Sequence, residues 1–303
     1  MIKKIVCGFI QILAFSFFFS SCGESIIDLG METFEQKIVI EGFLYPGKKV
    51  DGIKLTRNFP LNTKPNPATL LIQDAEVRLV DLQNNKEFKL GFNLKKLSYE
   101  YSGSGLSISY DNSYKLLVST SIDGKIYFAS SVTKTPKKGF SINHSKTISG
   151  IISYRERDKY GNVKELPLVC NLSEGTTYYP ISIVALEASD TTFIYENAFR
   201  EVKRENVIKN LDNYKYQKRL LQNLNPEGLT VTYDINWLSI WFYGNYRIIV
   251  YAGDENFRLF SLTNSNVQEF DGNFHEPKIN IQGDGIGVFG SVIADTVYFK
   301  IKE

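Results

Sequence analysis

Few residues in this chain are of a type that does acid, base, nucleophilic or metal chemistry, and their neighbours argue against most of it. The histidines are His144 and His275. A zinc site, or a nucleophile activated by imidazole, needs one of them beside acids or further ligands. His144 lies in Ser141-Ile142-Asn143-His144-Ser145-Lys146 with no acid close in sequence, and His275 precedes Glu276-Pro277 in a turn-like setting. Cys170, in Leu166-Pro167-Leu168-Val169-Cys170-Asn171, reads as a small hydrophobe of a buried strand, without a basic neighbour to make it a thiolate. Asp254-Glu255 reads as the solvated tip of a hairpin rather than a general acid and base. Gly283-Asp284-Gly285-Ile286-Gly287-Val288-Phe289-Gly290 is dense in glycine like a phosphate loop, yet a dinucleotide fingerprint needs a following helix, and here a strand follows. Glycines in a strand region mark bulges, positive φ or close backbone approach. The expectation is a protein with no metal, no cofactor and no enzymatic centre; a hydrolase assembled in space from carboxylates, which leaves little trace in sequence, is the less favoured alternative.

Cys22 has a different context. Lys3 and Lys4 give a basic start, Ile5 to Phe19 form an apolar run shorter than the ~20 residues of a spanning helix, and Ser20-Ser21 lead into Cys22-Gly23. Charged, apolar and small-residue segments in that order make a secretory signal, and a cysteine after the small pair resembles a bacterial lipoprotein signal, although Phe19 stands where leucine is usual. Residues 1–21 are then a signal peptide, Cys22 carries the lipid that joins the protein to a membrane, and 22–35, rich in small and polar residues, is a tether. Each buried methylene of an acyl chain contributes ~0.8 kcal/mol, so two or more chains hold a protein firmly. With Cys7 in the signal and Cys22 lipidated, Cys170 has no disulfide partner.

The formal net charge is +2, so charge alone points to no nucleic-acid partner. Aromatics make up 14% of residues, with Tyr and Phe well above Trp, which favours strands. Lys37 to Tyr45 and Ile53 to Phe59 predict a hairpin, and Ala75 to Leu82, Lys86 to Leu90 and Leu97 to Tyr101 predict short strands between turns. Tyr114 to Ser119 and Ile126 to Thr133 flank Asp123-Gly124, the strongest short hairpin signal. Lys134 to Gly139 has the composition of a linker. Beyond it Ile142 to Arg155, Tyr178 to Leu186, Tyr246 to Tyr251, Phe257 to Leu262 and Thr296 to Lys302 are strand-like. Phe193 to Leu224 lacks Gly and Pro and spaces Val207, Leu211, Tyr214 and Leu221 as on a helix, which predicts one helix or two with a break near Asn210 to Asn213. The fold class expected is mainly β: an N-terminal Ig-like or transthyretin-like β-sandwich over 36–137, then a larger antiparallel β-domain over 138–303 with a helical insertion at about 194–224.

Trp237-Leu238-Ser239-Ile240-Trp241-Phe242-Tyr243 is apolar on both faces if extended. Trp237, Trp241 and Tyr243 would then share a face with the indoles ~13 Å apart, a candidate platform for a glycan ligand; burial on both sides explains the same pattern.

Phe274-His275-Glu276-Pro277-Lys278-Ile279-Asn280-Ile281 followed by Gly285-Ile286-Gly287-Val288-Phe289-Gly290-Ser291 resembles the closing motif of a family of Bacteroidota lipoproteins known as domain of unknown function 4249. Ile38-Val39-Ile40-Glu41-Gly42, Ile53-Lys54-Leu55-Thr56-Arg57, Asp74-Ala75-Glu76-Val77-Arg78-Leu79, and Ser113-Tyr114-Lys115-Leu116 ahead of Gly124-Lys125-Ile126-Tyr127 match in the expected order, while 140–225 carries no matching piece. The resemblance implies an all-β outer-membrane lipoprotein, on the cell surface or the periplasmic face, often encoded beside TonB-dependent transporters, with no catalytic residues. It makes a TonB-dependent receptor the partner to look for; a glycan or peptide is the ligand class expected apart from the resemblance. Asp190-Thr191-Thr192 and Asp295-Thr296-Val297 are similar to the short sequences used for O-glycosylation in such bacteria, which is consistent with export.

Overall fold

In the computed structural model the described residues are 34–60, 63–196, 201–222, 229–263 and 280–303. The signal, Cys22, most of the tether and His275 lie outside them. The strands in chain order are β1 (Ile38–Leu44), β2 (Lys54–Arg57), β3 (Glu76–Asp81), β4 (Lys86–Asn93), β5 (Ser98–Glu100), β6 (Ser113–Ile122), β7 (Lys125–Lys134), β8 (Ser141–Ile142), β9 (Gly150–Ser153), β10 (Pro167–Asn171), β11 (Tyr178–Ala185), β12 (Tyr216–Gln222), β13 (Thr230–Asp234), β14 (Gly244–Gly253), β15 (Ile281–Gly283) and β16 (Gly285–Lys302). The helices are short: α1 (Pro67–Leu70), α2 (Arg204–Lys209), α3 (Leu211–Lys215) and α4 (Glu255–Thr263). The protein is mainly β, as its aromatic and β-branched runs predict.

The organising strand is β16. It pairs with β14 along Val292–Ile301, with β1 in parallel along Gly285–Ser291, and with β9 in parallel along Phe299–Lys302. These pairings build a seven-stranded mixed sheet in the order β12-β11-β14-β16-β1-β2, with β9 beside the end of β16. A six-stranded sheet, β15-β7-β6-β3-β4-β5, and a three-stranded sheet, β13-β10-β8, complete the described strands.

Alternation along the strands decides what each face buries. At the β1–β2 end, Ile38, Ile40, Leu44 and Leu55 share a core with Val77, Leu79, Tyr114, Leu116 and Val118 of the six-stranded sheet. At the β11–β14 end, Ile181, Ile183, Ile248, Val250, Val297 and Phe299 share another with Leu168 and Cys170 of the three-stranded sheet. Both are sandwiches of facing sheets. A division at 137/138 separates these cores apart from Phe289, which belongs to the first, whereas the seven-stranded sheet takes strands from both sides.

The glycine-rich stretch is where β16 begins, and its glycines serve close approach. Gly287 has φ +103°, and a Cβ there would sit 2.2 Å from the Ile40 carbonyl oxygen of β1. The Asp123-Gly124 turn joins β6 to β7 with φ of 51° and 82°, the positive values such a hairpin needs.

Two elements differ from expectation. The helical insertion is confined to α2 and α3; Asn210 between them has φ −129° and ψ 35°, and from Tyr216 the chain is strand β12. Pairing with β11 puts Leu221 opposite Tyr179 and into the core, a tertiary gain that overrides the helical spacing. Phe257 to Leu262 is not the return strand of a hairpin but belongs to α4, which follows a half-buried aspartate, Asp254, and sets Phe257 and Phe260 against Phe43.

Candidate functional site

The Trp237–Tyr243 segment is not a strand, and the platform expected on it does not form. Trp237–Ser239 is a single 3₁₀ turn capped by Asn236, whose side-chain oxygen accepts from Leu238 N at 2.9 Å. The turn sends the aromatic groups different ways. Trp241 is 7% exposed, stacked on Phe193 at 5.9 Å and edge-on to Tyr214 at 5.1 Å. Trp237 donates through Nε1 to the Lys164 carbonyl at 2.8 Å and packs edge-on to Tyr154 at 5.5 Å. Tyr243 meets the same Tyr154 ring at 6.1 Å. One indole is core and the other is engaged at its edge, so Trp237, Trp241 and Tyr243 present no shared flat face.

The other candidates resolve as follows. Cys170 is fully buried, and burial pushes its thiol up to about 12, which makes it inert. His144 is exposed, and its Nε2 lies 3.7 Å from Asp295 Oδ2, an oxygen that also accepts from Ile142 N at 2.8 Å; that acid is remote in sequence and invisible to a local reading. Among the described residues no cluster of three or more His, Cys, Asp or Glu could hold a metal ion.

A cleft of about 420 Å³, with charged side chains at its rim, opens beside the start of α4, between the end of β7 and the loop before β11. Lys134–Asp111 at 2.9 Å, Lys137–Glu174 at 2.7 Å and Arg258–Glu255 at 2.6 Å line it as ion pairs, so each cation is already matched. Its inner wall is Asp254. Oδ1 accepts from Phe257 N at 3.0 Å and Ser291 N at 3.1 Å, and Oδ2 accepts from Thr133 Oγ1 at 2.6 Å. Burial pushes this carboxyl above its ordinary range against the pull of those hydrogen bonds. Beside it, Asn256 Nδ2 donates to the carbonyls of Val132 at 2.7 Å and Phe289 at 2.8 Å, and Asn280 Nδ2 donates to Asn256 Oδ1 at 2.6 Å. Asp254 and Asn256 therefore pin β7, α4 and β16 together. The sequence carries a signal for this that a hairpin reading passes over: Asp254 is a favoured N-cap residue, and Phe257 and Phe260 follow at helical spacing. With its cations paired and the acceptor capacity of Asp254 engaged, the arrangement braces the fold.

With the fold in view, comparison with known proteins gives a class. The chain matches the family model described as domain of unknown function (DUF4249) over residues 24–297 and belongs to that family. A search of curated proteins finds no match. Among solved structures, a 1.5-MDa bacterial ice-binding adhesin is 11% identical with a TM-score of 0.22, over 88% of this chain and 64% of that one. A tetra-tandem repeat from the extending region of a large adhesion protein is 9% identical with a TM-score of 0.22, over 87% of this chain and 49% of that one. A DUF4785 family protein from Legionella pneumophila is 13% identical with a TM-score of 0.24, over 70% of this chain and 52% of that one. The chain thus spans under two thirds of each of these proteins.

Proposed function

We propose that this protein is a lipoprotein held at the outer membrane by lipid on Cys22, where it acts as a non-enzymatic binding or accessory subunit of a TonB-dependent transporter or another surface assembly. The observation that carries the reading is the order Lys3-Lys4, apolar run, Ser20-Ser21-Cys22, with the family match starting at residue 24, just past the cysteine. No helix among the described residues is long and apolar enough to cross a membrane, so acyl chains on Cys22 are the anchor the reading invokes.

Cys22→Ala tests the anchor. Wild-type protein is expected to stay with the membrane fraction through carbonate washing and to incorporate labelled palmitate, while the variant is expected to do neither. Equal membrane association and no label in either form would overturn the lipid anchor.

A further inference from the structure

The outer face of the seven-stranded sheet is only half covered. Around Val288 and Val292 it lies under α4, whose Phe257 packs on Phe43 and Tyr251. Beyond Tyr251 the face is exposed at Tyr298 and Tyr216, with Arg247 half-buried and Val184 buried between them. Register puts Arg247 of β14 opposite Tyr298 of β16 on one side and Val184 of β11 on the other, and Val184 opposite Tyr216 of β12. Neighbouring residues Tyr246, Ile183, Val297 and Phe299 point into the core, so this row points out. Tyr298 is 58% exposed and Tyr216 50% exposed. At ~4.8 Å per strand, the two tyrosines stand ~5 Å and ~10 Å from Arg247 along the row.

The electrostatics of this row are one-sided. Arg247 Nε is buried and has no hydrogen-bond partner. Among the described arginines it alone lacks a hydrogen bond or ion pair; Arg57, Arg78, Arg157, Arg204, Arg219 and Arg258 are all engaged, as is Arg155. Lys218 and Lys300 are exposed on flanking rows, and the outward positions of β11, β12, β14 and β16 include no Asp or Glu. Nε lies too deep to meet a ligand, whereas the terminal nitrogens of the half-buried side chain reach the surface unpartnered, and a carboxylate on this face would accept two parallel N–H bonds from them. The Tyr298 ring beside it offers an apolar face with a polar tip, and Tyr216 carries Lys215 Nζ 5.1 Å over its ring, which adds a further cation to the row.

We propose that this face is a binding site for an acidic polysaccharide, with Arg247 gripping a sugar carboxylate and Tyr298 and Tyr216 contacting the flanking rings. The row is flat, aromatic at both ends and cationic at its centre, which fits a uronic-acid chain better than a neutral glycan or a bare phosphate. The site is independent of how Cys22 is modified, so its failure would leave the anchored accessory role untouched, and failure of the anchor would leave the site standing.

The test is binding of the purified full chain in detergent to polygalacturonate, measured by calorimetry, with neutral galactan, polyglutamate and phosphatidylglycerol vesicles alongside. Expected is binding to polygalacturonate at least about tenfold tighter than to galactan or polyglutamate, a loss of about tenfold or more in Arg247→Gln, and weakening in Tyr298→Ala, with unchanged thermal melting. Arg247→Lys keeps the charge without the fork and should fall between. No binding to polygalacturonate, equal binding of polyglutamate, preference for the vesicles, or full binding by folded Arg247→Gln would each overturn the assignment.

Discussion

Thr133 Oγ1 donates to Asp254 Oδ2 at 2.6 Å, joining residues 121 positions apart in sequence. The bond ties the end of β7 to the N-terminus of α4, and Ser291 N of β16 donates to the other oxygen of the same carboxyl. Thr133→Val keeps the shape and removes the donor from a buried site, so unfolding in denaturant should show a loss of about 1–3 kcal/mol. No loss would mean that the link is incidental.

The same carboxyl sets a pH dependence. Burial holds Asp254 above its ordinary range. A folded value above the unfolded one, ~3.9, means the contribution is complete below the unfolded value and is lost as pH rises through the folded value. The stability of wild type relative to Asp254→Asn should therefore fall as pH rises across that window. A difference that is flat with pH would contradict the assignment.

Asp81 should behave in the opposite sense. Burial alone would raise its carboxyl, but donors from the side chains of Asn84 and Asn112 and the amides of Asn84 and Gln83 outweigh burial and hold it low. Its contribution is present above the unfolded value and is lost as pH falls through the folded one. Asp81→Asn should accordingly remove part of the acid sensitivity of unfolding, read from denaturation midpoints between neutral and acid pH. An unchanged acid limb would show that other carboxylates carry it.

Glycine at 287 is required by contact as well as by conformation. Gly287→Ala puts a Cβ against backbone of β1 at a φ of +103°, whereas a Cβ at Gly52, where φ is +74°, would meet nothing within 4 Å. Gly52→Ala should cost about 1 kcal/mol from backbone conformation alone, and Gly287→Ala about 2 kcal/mol or more. Similar losses at both sites, measured by thermal melting, would remove the close-approach argument.

Legibility in the sequence follows the range of the forces at work. The β1–β2 and β6–β7 hairpins are readable because turn residues and alternation are local, and the glycines of β16 are readable as close-approach positions because no helix follows them. The tryptophan segment is not readable. Tyr246 Oη donates to the Phe242 carbonyl and accepts from the Phe242 amide, each at 2.9 Å, which fixes the chain in a compact turn before β14; nothing in the alternation of Trp237 to Tyr243 signals it. β12 is hidden likewise, since its Lys-, Arg- and Leu-rich sequence suits a helix until β11 is there to pair with it. The unpartnered Arg247 is visible only once register puts it between Tyr298 and Val184.

The tyrosine clamp is itself testable. Tyr246→Phe leaves both backbone groups of Phe242 without their partner in a buried place and should cost about 1–3 kcal/mol in denaturant unfolding. Full stability in the variant would show that packing alone holds the turn.

An accessory role at the outer membrane is open to a decisive test by purification of the protein from native membranes in a mild detergent. The protein should be recovered with covalent lipid on Cys22 and with a TonB-dependent receptor in stoichiometric amount. Recovery of a lone, unlipidated monomer that turns over glycans or peptides would contradict that role.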